Sequence, residues 1–132
     1  MSHRYMLDTD TVSFALRGRG EVGERLLERA PSELCISAVT LAELRYGADH
    51  RRSKKLHGLI DAFVRSVSVA PFDASAATAF GVLAAELVAS GTPIGQLDTM
   101  IAAHALSLGV ILVTNNTKHY SKVPNLRIAN WA

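Results

Sequence analysis

Asp8, Glu43 and Asp98 lie far apart in the chain, yet each stands beside a strong apolar segment. Asp8 closes Tyr5-Met6-Leu7. Glu43 sits one turn into a helical stretch that follows Leu34-Cys35-Ile36-Ser37, and Asp98 opens an Ala-rich helical stretch after Pro93-Ile94-Gly95. A further polar spot, Thr114-Asn115-Asn116, follows the run Val110-Ile111-Leu112-Val113. In an open α/β sheet, groups at the carboxyl ends of strands converge on one crevice. Carboxylates gathered there repel one another, and a cation relieves the repulsion. Oxygen ligands favour Mg2+ or Mn2+, ions that mainly serve phosphate chemistry.

Each acid also has a simpler structural reading. Asp10 or Thr11 can cap the next helix, whereas Asp8 lies too close to the strand for capping alone to explain it. Thr40 and Glu43 have the spacing of a capping box. The apolar and small neighbours Leu41, Ala42 and Leu44 instead favour a Glu43 carboxylate aimed into a crevice. Asp98 also suits the positive end of a helix dipole. The histidines offer no zinc set: His3, His50, His57 and His119 lack ligand spacing, and His104 reads as a core or helix-surface residue.

Basic residues fall in two clusters, Arg17, Arg19, Arg25 and Arg29, then Arg51, Arg52, Lys54 and Lys55. Beside an acidic crevice they suit a phosphate backbone steered past a metal; either cluster alone reads equally well as a solvated face. The net charge of +2 is too small to demand a nucleic-acid partner. The 132 residues fit a single domain spanning 1–132, able to bury ~65–70% of its extended surface without staples. Cys35 is the sole cysteine, which excludes an internal disulfide, and its apolar surroundings make it core filler. Neither a signal peptide nor an apolar run of about 18 residues is present, so a reducing cytoplasm is expected and a membrane span is not.

The elements needed to position the acids can be read from periodicity. Strands are expected at His3 to Leu7, Leu34 to Ala38, Val67 to Val69, Val110 to Val113 and Leu126 to Ala129. Helices are expected at Thr11 to Leu16, Val22 to Arg29, Val39 to Ala48, Ser53 to Ser66, Ser75 to Ser90 and Asp98 to Leu108, with Ser75 as an N-cap and Gly91 as a C′ residue. Strands separated by helices predict a three-layer α/β/α domain with a mostly parallel central sheet.

Together these stretches resemble the PIN-domain ribonucleases, and among them the VapC-type toxins of bacterial toxin–antitoxin pairs. The likeness rests on Tyr-Met-Leu-Asp-Thr at 5–9, Ile-Ser-Ala-Val-Thr-Leu-Ala-Glu-Leu-Arg-Tyr-Gly at 36–47, and Pro-Ile-Gly-Gln-Leu-Asp-Thr-Met-Ile-Ala-Ala-His-Ala at 93–105. Leu-Val-Thr-Asn-Asn-Thr-Lys-His-Tyr at 112–120 and the Trp131 ending extend it over nearly the whole chain. The resemblance implies a PIN-like fold in which Asp8, Glu43 and Asp98 bind Mg2+ or Mn2+ and activate water to cut RNA. It further implies a bacterial cytoplasmic protein, a homodimer, held inactive in a larger complex by a cognate VapB-type antitoxin. The Pro-Ile-Gly and Thr-Asn-Asn-Thr stretches are similar to those of members that cut initiator tRNA in the anticodon stem-loop.

Two positions depart from the family pattern. Members usually have Asn where this chain has Asp10, and many carry a fourth acid where this chain has Asn116. Asn116 can still orient water or a ligand through its amide oxygen, but it leaves the site one charge short for two ions. Two alternatives stay open at this point. Asp8-Thr9-Asp10-Thr11-Val12 also resembles the opening of haloacid-dehalogenase-type phosphatases, with Asp8 as nucleophile and Asp10 as general acid, although no late acidic pair follows. The other is a non-catalytic RNA- or protein-binding domain that kept the fold.

Overall fold

The computed structural model describes residues 3–132. Its strands are β1 (Tyr5–Leu7), β2 (Leu34–Ser37), β3 (Ser68–Ala70), β4 (Ile111–Val113) and β5 (Ile128–Ala129). All pair in parallel, in the order β3-β2-β1-β4-β5. The helices are α1 (Thr9–Leu16), α2 (Val22–Leu27), α3 (Ala38–His50), α4 (Lys54–Ser66), α5 (Ala74–Ala89), α6 (Gln96–Leu108) and α7 (Thr117–Tyr120).

The central strands β1 and β4 are continuous apolar runs, and β2 is apolar up to Ser37, because both faces of the sheet are covered there. Met6 pairs in register with Cys35 on one side and Leu112 on the other. These three side chains join Leu83 and Leu87 of α5 and Ile101, Ala102 and Ala105 of α6 in one core. The next position along each strand points the other way. Leu7, in register with Ile36 and Val113, packs with Val12 of α1, Leu44 and Ala48 of α3, and Ile60 of α4. The two cores on opposite faces are the expected three layers. Cys35 is fully buried, and burial pushes its thiol up to about 11, well away from the reactive thiolate.

Several boundaries differ from expectation. β1 begins at Tyr5 rather than His3, α2 ends at Leu27 rather than Arg29, and a short 3₁₀ turn, Pro31–Glu33, leads into β2. Asp73, not Ser75, caps α5, its Oδ1 accepting from the Ala76 amide at 3.0 Å. Asp and Ser cap comparably, and the extended backbone at Asp73 decides between them. Gly91, at φ 69°, does end α5 as C′: the Thr92 amide bonds Leu87 O at 2.9 Å and the Gly91 amide bonds Val88 O at 3.1 Å. Helix α7 was not expected; four residues carry too little periodicity to register.

The strand order creates a switch point. From β1 the chain builds outward on one side through β2 and β3, then continues on the other side with β4 and β5. A crevice forms outside the carboxyl ends of strands at such a reversal, here at β1 and β4.

Candidate active site

Asp8 is the residue at that edge. Its amide still donates to Val113 O of β4 at 3.0 Å, so it closes the sheet pairing. Its backbone is extended, and its Oδ1 accepts from the Thr11 amide at 2.9 Å, capping α1. The cap is therefore Asp8 itself, not Asp10 or Thr11. The Thr11 hydroxyl is used elsewhere, donating to the Val113 carbonyl at 3.1 Å. Asp8 is 3% exposed. Burial holds its carboxyl above the usual carboxylate range, bonds from Thr114 and Thr11 oppose this, and the Asp10 charge adds to it.

Glu43 reaches the same place from α3. That helix starts at Ala38, capped by Ser37, whose Oγ accepts from the Val39 amide at 3.0 Å. Thr40 therefore lies inside the helix and forms no capping box with Glu43. The Glu43 carboxylate instead accepts from the Thr9 hydroxyl, across to the start of α1. Burial raises its pKa, the Thr9 bond lowers it, and the charges of Asp98, Asp10 and Asp8 raise it again. Asp98 lies in the first turn of α6, half-buried, with its Oδ2 2.9 Å from His119 Nε2.

These groups share one cavity of about 170 Å³, lined by Asp8, Thr9, Asp10, Glu43, Asp98, Asn116 and Tyr120. All four sequence-predicted site residues meet there. Four carboxylates line it, since Asp10 adds the charge that Asn116 lacks. Asn116 is exposed at the start of α7, its amide donating to Thr114 Oγ1 at 2.9 Å. Tyr120 is almost fully buried. Burial, then the Asp98 and Asp8 charges, push its phenol far up, so it meets the cavity as a neutral hydroxyl.

Thr9, His119 and Tyr120 were not anticipated. Thr9 follows Asp8 directly, and that adjacency was the available signal. His119 and Tyr120 belong to the short α7, whose approach to Asp98 is a tertiary contact. His104 is structural: it is 1% exposed, its Nδ1 lies 2.8 Å from Ser37 Oγ, and burial lowers its pKa. Neutral Nδ1 then accepts from the Ser37 hydroxyl.

The basic clusters divide. Arg25 pairs with Glu21 at 3.5 Å, and the Arg29 guanidinium lies 5.0 Å and 4.8 Å from the ring centres of Tyr5 and Trp131. Arg17 and Arg51, one from each cluster, line a second cavity of about 140 Å³. It shares Thr9 and Glu43 with the acidic one.

The acidic cavity suits a hard cation. Among the described residues no Lys or Arg pairs with Asp8, Glu43 or Asp98, and mutual repulsion contributes to the raised carboxyls. Also among the described residues, no three carboxylate or imidazole groups stand close enough to share one ion. The residues therefore fit an ion that keeps several waters, which is the habit of Mg2+, and not a closed protein cage.

A PIN domain family model matches residues 5–126. The chain belongs to the PIN-domain family. Over 98% of its length it is 38% identical to a tRNA(fMet)-specific endonuclease VapC of Shigella flexneri, covering 98% of that protein. Over 97% it is 36% identical to the protein of the same name from Salmonella typhimurium, again covering 98%. This PIN domain also superimposes on DNA-bound VapBC from Salmonella typhimurium, with a TM-score of 0.91 at 36% identity, covering 98% of this chain and 99% of that one. VapBC2 from Rickettsia felis, bound to a promoter DNA fragment, gives 0.86 at 34% identity, covering 97% and 98%. The phosphatase and non-catalytic alternatives find no support, since the relatives matched over nearly the whole chain are named endonucleases.

Proposed function

We propose that the protein is the toxin of a type II toxin–antitoxin pair, an endoribonuclease that uses Mg2+ or Mn2+ and cuts initiator tRNA in its anticodon stem-loop. The observation that carries this is the meeting of Asp8, Glu43 and Asp98 in one cavity, in a PIN domain similar throughout to tRNA(fMet)-specific endonucleases. Asp8, Glu43 and Asp98 would hold the hydrated cation, in part through its waters, with Asn116 orienting a water or phosphate oxygen. A bound Mg2+ or Mn2+ supplies Lewis acidity, lowering the pKa of water and offsetting phosphate charge. The chain itself contributes acids fixed by hydrogen bonds, and a neutral Tyr120 hydroxyl on the wall. In-line attack by water at phosphorus breaks the P–O3′ bond and leaves a 5′-phosphate and a 3′-hydroxyl. An unpaired loop is a favourable target because splayed nucleotides can bend into a crevice.

Arg17 and Arg51 suit the phosphates that flank the cut. A VapB-type antitoxin is the natural partner, since the structural neighbours are VapBC complexes. An apolar groove lined by Leu26, Leu27, Leu34, Phe63 and Val67, with Leu27 89% exposed, suits an amphipathic helix of that partner. Val82 and Val88, exposed on α5, offer surface for a homodimer. The proposed setting is the bacterial cytoplasm, and among the described residues no helix is long and apolar enough to cross a membrane.

The test is incubation of purified protein with initiator and elongator tRNAs, followed by mapping of the ends. A single cut in the initiator anticodon stem-loop, with a 5′-phosphate, is expected. Absence of cleavage of any RNA by folded protein supplied with Mn2+ would overturn the proposal.

A further inference from the structure

Each of the three acids has a fixed donor within hydrogen-bond distance. Asp8 takes the Thr11 amide, Glu43 takes the Thr9 hydroxyl, and Asp98 takes His119 Nε2 at 2.9 Å. The first two donors lie within three residues of Asp8 in the chain. The third comes from α7, beyond β4, and is a different kind of contact.

The His119 side chain is 24% exposed and that of Asp98 39%, so water alone could solvate both. They nevertheless meet at a short distance. The imidazole is held from behind by its own neighbour: its ring stands edge-on to Tyr120, with centres 5.3 Å apart. Tyr120 is 2% exposed and anchored in the core with Met6, Leu112 and Val123. A rigid wall thus fixes the ring, and the ring fixes the half-exposed Asp98 carboxylate. An ionised carboxylate only accepts, so Nε2 carries the proton in this contact.

We propose that His119 is a positioning residue of the site: its Nε2–H bond holds the Asp98 carboxylate in one orientation toward the cavity that Asp98 lines. Outer donors of this kind orient metal-ligating groups and set their affinity. This rests on Asp98 holding a divalent cation. It adds a residue whose role acts through Asp98 rather than on RNA or the ion.

The test compares His119→Phe, which keeps a ring beside Tyr120 without a donor, with His119→Gln, whose amide nitrogen can replace Nε2–H. Mn2+ affinity is measured by calorimetry, with thermal melting of the metal-free proteins as a check on folding. His119→Phe is expected to weaken Mn2+ binding by ~10–100-fold, while His119→Gln loses less than the ~10-fold end of that range. RNA cleavage by His119→Phe should recover substantially when Mn2+ is raised to saturation, which damage to the fold would not allow. Mn2+ binding by His119→Phe equal to wild type would overturn the proposal. Equal losses in both variants would also overturn it, in favour of the imidazole as a direct ligand. Wild-type protein that takes up no Mn2+ would remove the metal site itself, an outcome distinct from either.

Discussion

The Thr9 hydroxyl donates to the Glu43 carboxylate across 34 positions of sequence. The bond ties the residue after Asp8 to the helix that follows β2, with Thr40 Oγ1 a further 3.4 Å contact for Thr9. It is also the one contribution holding down a Glu43 carboxyl that burial and three neighbouring charges push up. Thr9→Val keeps the shape and removes the donor. A bond to a charged group contributes about 1.5–3 kcal/mol, so cleavage near neutral pH should fall by roughly 10–100-fold. The rate-versus-pH profile should move to higher pH, because Glu43 ionises later. An unchanged profile would make the contact incidental.

Metal-free stability should respond to pH in a defined direction. Asp8 and Glu43 have folded pKa values above their ordinary 3.8 and 4.5. Between the ordinary and raised values the folded chain binds more protons than the unfolded chain, so stability falls as pH rises through that interval. The contribution is fully present below the ordinary values and lost above the folded ones. Asp8→Asn removes it at one position and keeps a good helix cap, since Asn and Asp cap about equally. The metal-free variant should melt above metal-free wild type near neutral pH, with the gap closing on acidification. A variant that melts lower at neutral pH would mean that Asp8 is not strained by its surroundings.

Much of this was legible in the sequence. Apolar runs marked the three central strands, and an acid or a polar loop near the end of a run marked the crevice. The caps were harder. Ser37 and Thr40, or Asp73 and Ser75, are near neighbours with similar capping ability, and only the point where the backbone leaves its extended form chooses between them. The role of Arg29 was hidden because the aromatic pair that takes it, Tyr5 and Trp131, comes from opposite ends of the chain. His119 has no ligand spacing in the sequence, yet its contact with Asp98 joins α7 to α6 across β4.

Arg17 and Arg51 should act on binding more than on chemistry. Both line the cavity that shares Thr9 and Glu43 with the acids. If each meets an RNA phosphate, replacing either with Ala should raise KM, leave kcat nearly unchanged, and reduce the salt dependence of binding by about one phosphate contact. Filter binding over a salt series, using a non-cleaving Asp98→Asn background, reads this directly. An unaltered salt slope in the double variant would place the RNA elsewhere.

Asp8 and Asp10 lie two residues apart and line the same cavity, but only Asp8 is buried. Asp10→Asn should therefore stay within about tenfold of wild type on one RNA substrate, whereas Asp8→Asn should lose at least ~10²-fold. Equal losses would make Asp10 a working member of the site.

The most direct measurement is the rate of initiator tRNA cleavage by wild-type protein stripped of metal, then supplied with Mg2+ or Mn2+ in steps. Cleavage should be absent in excess EDTA, return with either ion, and fail to return in Asp98→Asn at the same concentrations. Undiminished cleavage in EDTA would contradict a cation held by Asp8, Glu43 and Asp98.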